Sequence, residues 1–186
     1  DGTAELGFEQ DLVGTLRVLE HGQLTAIVPI VETYRKVPGL ADAGGGVGDI
    51  QLAARYDFIE PGTSRTWPAI ALSWSLTLPT GRAPEEASSP LATDATGTGG
   101  VQTSGALAFE RTFGDVFVHL SGSALWWAPR NVSGLHQQRG PGFGVLAAAG
   151  YAFRAGPVVA LTASYRAELD GRLEGARIEG SGHELT

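Results

Sequence analysis

Cysteine and methionine are absent, lysine occurs only at Lys36, and no run of apolar residues is long enough to cross a bilayer as a helix. Each gap excludes something. Without cysteine there is no disulfide framework and no thiolate metal site. A spanning helix needs about 20 consecutive apolar residues, whereas "AIALSWSLTLP" is interrupted by small or polar residues at every second place. Basic residues are scattered, with only Arg35 and Lys36 adjacent, in a chain of net charge −7. No stripe is available to neutralise phosphates, so nucleic acid is excluded as a partner. The chain opens on Asp1 with neither a basic segment nor an apolar leader, the expected look of a mature product or an excised piece.

Hydrophobic residues make up 42% of the 186 positions, glycine contributes 27, and mean hydropathy is +0.01. That average is ordinary, as it must be for β-barrel strands, which are half polar by construction. The clearest run is Trp67 to Pro79. Ile70, Leu72, Trp74, Leu76 and Leu78 alternate with Ala71, Ser73, Ser75 and Thr77. A helix would split the apolar set over two sides; a period of two places it on one face.

About eight such runs are expected, each near the length of roughly 9 to 11 residues that crosses a bilayer as a tilted strand. They lie within Ala4 to Leu19, the least regular, and Gln23 to Lys36, Val47 to Ile59 and Trp67 to Pro79. Val101 to Phe113, Val116 to Ala128, Gly142 to Arg154 and Val158 to Leu169 complete the set. Their connections alternate in length. "EHGQ", "EPGTSRT", "FGD" and "RAGP" are short. "VPGLADAGGG", "GRAPEEASSPLATDATGTGG", "PRNVSGLHQQRGPG" and "DGRLEGARIEGSGHE" are read as long polar loops. Short turns at one end and long loops at the other mark an outer-membrane barrel. A β-sandwich shows similar alternation but has no reason to sort its loops by length. Aromatics near run ends, Trp126 and Trp127 among them, agree with interfacial girdles.

The glycines of "GGGVGDIQLAARYDF" do not form a phosphate cradle. The G-x-G-x-x-G spacing fails, no lysine follows, and the next element is a strand rather than a helix. Asp42 and Asp49 flank them, but two carboxylates are few for calcium and default to solvated loop acids. "LPTG" is read as strand termination, since proline cannot donate to a ladder. His119 lies beside Ser121 on one strand face, and neighbours so placed point in parallel, which is poor geometry for a nucleophile and its base. No catalytic residue, metal ligand or cofactor is expected.

The residues alternating with the apolar set are the candidate site. They are Gln51, Arg55, Asp57, Ser73, Ser75, Thr77, Gln102, Ser104, Glu110, His119, Ser121, Ser123, Thr162, Ser164, Arg166 and Glu168. In a narrow barrel such side chains fill the interior; in a wider one they line a path and set selectivity.

The order Gly46-Val47-Gly48-Asp49, Leu78-Pro79-Thr80-Gly81, then a long loop and Gly97-Thr98-Gly99-Gly100 resembles the outer-membrane proteins of the meta-pathway phenol-degradation family. The resemblance covers about Leu12 to Leu169. It implies an antiparallel up-and-down transmembrane barrel, here a single domain over 1–186, that passes small aromatic or apolar molecules across the outer membrane of a Gram-negative bacterium. The bilayer, lipopolysaccharide and a small solute would be its partners, and no oligomeric state is implied. Two departures stand out. Gln102 occupies a place where the family carries an acid, and the chain stops at "GSGHELT", where another strand is expected, so a segment of a longer barrel is anticipated. Two rival readings remain: an adhesive barrel with a closed lumen and partner-binding loops, and a secreted β-sandwich binding module.

Overall fold

The computed structural model describes residues 2–154, 156–178 and 182–185. Every alternating run forms a strand. In chain order the strands are β1 (Ala4–Arg17), β2 (Gly22–Val37), β3 (Leu40–Val47), β4 (Ile50–Ile59), β5 (Ala69–Leu78), β6 (Gln102–Phe113) and β7 (Val116–Trp127). They continue as β8 (Arg130–Val132), β9 (Leu135–Gln138), β10 (Gly142–Ala152), β11 (Val158–Glu168), β12 (Gly171–Leu173), β13 (Ala176–Ile178) and β14 (Gly182–Leu185). One 3₁₀ turn, Pro84–Glu86, is the only helical piece among the described residues.

The order β1-β2-β4-β5-β6-β7-β10-β11-β14, with β3 added on β2, makes one ten-stranded antiparallel sheet. It is curled into a half-barrel. Among the described residues β1 and β14 do not pair, so the curl stays open. The four-stranded sheet β13-β12-β9-β8 stands at the end where the longer connections lie.

A water-soluble sheet of this size would hide one face. Here only Ala71 and Ala83 are buried hydrophobics among the described residues. The large apolar side chains point away from the polar face and stay open, Leu12 at 69% and Leu161 at 79% exposure. Apolar surface of this extent calls for a nonaqueous neighbour, at about 25 cal/mol per Å² left in water.

Three long connections differ from the expectation of loops. "VPGLADAGGG" holds β3, because β2 overshoots the wall and folds back through Pro38-Gly39, with Val37 facing Leu40. Proline fixes the first turn residue, and Gly39 takes φ +82° at the second, the requirement of a type II turn. "VSGL" and "LEGA" close β8–β9 and β12–β13, with positive φ at both central residues, Ser133-Gly134 and Glu174-Gly175. That is the type I′ geometry whose twist matches a two-residue hairpin. The alternating stretch therefore begins its wall strand at Ile50, and Val47 belongs to β3. The first run is also more regular than its acids suggest: β1 pairs with β2 without a break from Ala4 to Arg17.

Candidate functional site

Residues directly opposite in an antiparallel ladder share a face, so register decides which side chains can act together. Gln51 faces Thr77, Thr77 faces Gln102, and Gln102 faces Trp127. One step along, Ser75 faces Ser104, which faces Leu125; this row ends on Gly142 and Glu168. The next runs Arg17, Gln23, Arg55, Ser73, Ala106, Ser123, Gly144, Arg166. Below it Asp57 meets Ala71, and Ser121 connects through Leu146 to Ser164. Glu110 faces His119, which leads through Ala148 to Thr162. All the candidate residues thus share one face, opposite Leu52, Leu72, Trp74 and Leu120.

Several of them touch. The Arg55 guanidinium pairs with Asp57 at 2.7 Å, the Ser75 and Ser104 hydroxyls lie 2.6 Å apart, and His119 Nδ1 is 3.7 Å from Glu110 Oε2. His119 therefore leans toward a carboxylate on the next strand rather than Ser121. A cavity of about 560 Å³ is lined from Gln51 on β4 across to Arg166 and Glu168 on β11. Side chains on six strands can border one cavity only because the sheet curves around this face. Gly142 and Gly144 leave its floor bare; a Cβ on Gly144 would stand 2.8 Å from the Ser123 hydroxyl.

The glycine motifs have a different role. Asp49, expected as a solvated rim acid, accepts hydrogen bonds from the Gly81 amide at 3.0 Å, the Thr98 amide at 2.6 Å and the Thr98 hydroxyl at 2.8 Å. Thr80 accepts from the Ile50 amide and donates to the Gly48 carbonyl, both at 2.9 Å. Gly48, Asp49, Thr80 and Gly81, the last two following Leu78 and Pro79, thus meet at one junction, while Gly46 pairs with Val31 just before it. Close packing explains the glycines. A Cβ on Gly48 would lie 2.9 Å from Pro29 Cγ, and one on Gly81 2.8 Å from Gly97 Cα.

From that junction the segment 79–100 folds over β3 on the same face as the polar residues. The register places Asp42 and Gly44 with Arg35 and Thr33 there. Thr93 is fully buried. Asp42 accepts from the Ser89 and Thr93 hydroxyls, and Arg35 donates to the Leu91 carbonyl at 2.8 Å. Arg82 reaches Asp94 at 2.5 Å, while Ser88 donates to Asp94 through both hydroxyl and amide. The Ser88 bonds, with those of Ser89 and Arg82, hold the Asp94 carboxyl well below the usual carboxylate range. Asp42 is lowered as well, chiefly by the Ser89 hydroxyl against desolvation, with a smaller contribution from Thr93. Among the described residues no cluster of His, Asp and Glu has the arrangement of a metal site.

Inward residues that the sequence reading misses include Arg17, Gln23, Leu125 and Trp127. Leu125 and Trp127 share parity with His119, Ser121 and Ser123, so counting by twos would have placed them. Trp127 is therefore no girdle residue: Arg139 stacks over its ring at 4.6 Å. Between its two end motifs the segment 79–100 carried no readable signal, because its partners lie 30 to 51 residues away in the chain.

No protein-family model matches the chain, and no curated protein matches it in sequence. Among solved structures it is similar to an outer membrane channel from Pseudomonas putida F1, with a TM-score of 0.69 at 16% identity. The match covers 94% of this chain and 65% of that one. The likeness is one of fold, and the chain spans somewhat less than two thirds of that channel's length.

Proposed function

We propose that the chain is a wall segment of an outer-membrane β-barrel channel, one barrel unit over 1–186, that lets small solutes diffuse across the outer membrane of a Gram-negative bacterium. The observation that carries this is the inverted surface. One face of the curled sheet is apolar and exposed, while the other is polar, charged and faces a shared cavity. The fold of the Pseudomonas putida channel supports the reading. The order of the GVGD, LPTG and GTGG motifs extends it to small aromatic or apolar solutes, as in the meta-pathway phenol-degradation family. In this reading the candidate residues line the lumen, bilayer lipid covers the other face, and passage needs no cofactor or catalytic group.

Reconstitution into planar bilayers and solute-loaded liposomes tests the proposal. Ion conductance and swelling with small solutes are expected. Replacing Arg55 with alanine leaves Asp57 without its 2.7 Å partner and should shift ion selectivity toward cations. Absence of conductance and flux from inserted protein would favour the second reading, a closed adhesive barrel, whose support is the hydrogen-bonded segment 79–100 lying over the polar face.

A further inference from the structure

The cavity of about 560 Å³ on the polar face differs from its surroundings in what its side chains leave unpaired. Nearer the short turns, charged groups on that face have partners. Arg17 reaches Glu60 at 3.4 Å, Arg55 reaches Asp57 at 2.7 Å and His119 lies 3.7 Å from Glu110. Around the cavity, the Gln51 and Gln102 amides, the Trp127 indole N–H and the Arg166 guanidinium make no hydrogen bond among the described residues. Gln51, Gln102 and Trp127 are nevertheless half-buried. Trp127 borders two pockets, and Arg139, which stacks over its ring at 4.6 Å, lines only the smaller one. The indole thus separates the two, with one side covered by Arg139 and another open to the cavity.

Shape and charge indicate what would fill this space. Gly142 and Gly144 leave a bare lane along β10, with Leu125 and Ser123 of β7 on one side and Glu168 and Arg166 of β11 on the other. The flanking strands stand two spacings apart, about 10 Å, which admits a six-membered ring with its substituents. The volume also lies in the range of small-ligand sites, about 300 to 1,000 Å³. Arg166 has Glu168 two residues on and faces Glu184 across the ladder, so the one cation of the cavity is matched by acid and makes no trap for anions. Guanidinium and indole only donate, amides and hydroxyls do both, and a carboxylate accepts. A solute that fits is therefore neutral, with oxygens around its rim that accept and donate, and with an apolar C–H face for Leu125 and Trp127. A solute without those oxygens would strip water from these groups and return no hydrogen bond.

We infer that this cavity binds a neutral ring bordered by hydroxyl groups, a sugar or a cyclitol. The ring lies in the glycine lane with its C–H face toward Leu125 and Trp127, and its hydroxyls bond Gln51, Gln102, Arg166 and Glu168. The inference rests on the channel reading, and takes the solute class from the cavity rather than from the order of the glycine motifs.

The test titrates the full chain in detergent micelles with D-glucose, myo-inositol, cyclohexanol and benzoate, and ligand-observed NMR reads binding. D-glucose or myo-inositol is expected to bind, the tighter of the two telling sugar from cyclitol, with cyclohexanol and benzoate about tenfold weaker. Trp127→Ala should weaken binding of the hydroxylated ring about threefold to tenfold, and Trp127→Phe should keep most of it. Gln102→Ala removes hydrogen bonds without touching the aromatic platform and should cost a similar factor, about threefold to tenfold. Trp126→Phe, on the opposite face, should bind as wild type does. Equal binding by wild type, Trp127→Ala and Gln102→Ala would overturn the inference. So would tighter binding of cyclohexanol or benzoate, which would mark an apolar or a carboxylate site. In planar bilayers, ion conductance by protein that binds neither D-glucose nor myo-inositol sinks this inference alone, whereas inserted protein with no conductance and no flux sinks the channel reading with it.

Discussion

Asp49 offers the sharpest test of how the segment 79–100 is held. Its carboxylate accepts from the Gly81 amide at 3.0 Å, the Thr98 amide at 2.6 Å and the Thr98 hydroxyl at 2.8 Å. Hydrogen bonds to a charged acceptor contribute about 1.5 to 3 kcal/mol each when protected from water, and less where water competes. The Asp49 site is only half covered and the bonds share one group, so Asp49→Ala should ease local opening by about 3 kcal/mol rather than by their full sum. At about 1.4 kcal/mol per tenfold, amide exchange at Gly81 and Thr98 should quicken by about two orders of magnitude. Asn retains one carbonyl acceptor and should fall between. Hydrogen exchange in micelles, resolved to single amides, reads this directly, with the β6–β7 ladder as internal control. Unchanged exchange at both amides would refute the junction, and an equal rise throughout β6–β7 would show that Asp49 supports the whole sheet instead of the segment.

Four further outcomes are expected. Gly97→Ala should reproduce the Asp49→Ala exchange pattern, because its Cβ would press on the Asp49 Oδ1 atom. The Asp94 carboxyl is depressed below its ordinary value of 3.8 by Ser88 and its neighbours. The stabilisation it provides is therefore complete above the unfolded value and lost as pH falls toward the folded one; pepsin cleavage within 83–96 should rise below about pH 4 in wild type and lose that pH dependence in Asp94→Asn. A charge on the apolar face at mid-strand, Trp74→Arg, should disfavour insertion into liposomes by about 2 to 4 kcal/mol, while Ser73→Arg on the opposite face should insert normally; equal insertion would refute the assignment of faces. In reconstituted channels Glu168→Ala should move ion selectivity toward anions, opposite to the expected effect of Arg55→Ala, and identical shifts would place the two outside a common path.

The wall was legible because β-strand sidedness is local. A period of two in Ile70, Leu72 and Trp74 against Ser73, Ser75 and Thr77 assigns faces without knowledge of any neighbour. Alternation runs on past Ser123 to place Trp127 inward, whereas Pro38-Gly39, Ser133-Gly134 and Glu174-Gly175 close tight hairpins that loop composition alone does not distinguish from filler. Register was half legible: Gln51 with Thr77 and Arg55 with Ser73 were within reach, since turn length limits the pairing.

Composition and alternation by themselves determined that the chain makes strands, which residues face together, and that no thiolate or spanning-helix solution exists. Only the tertiary structure decided that Glu110 lies against His119, that the motifs around Gly48, Asp49, Thr80 and Thr98 meet at one junction, and that the segment 79–100 turns onto the polar face. The reason is distance along the chain. Alternation is written between neighbours, whereas a carboxylate that gathers donors from 32 and 49 residues away leaves no period in the sequence and exists only once the strands have brought its partners to it.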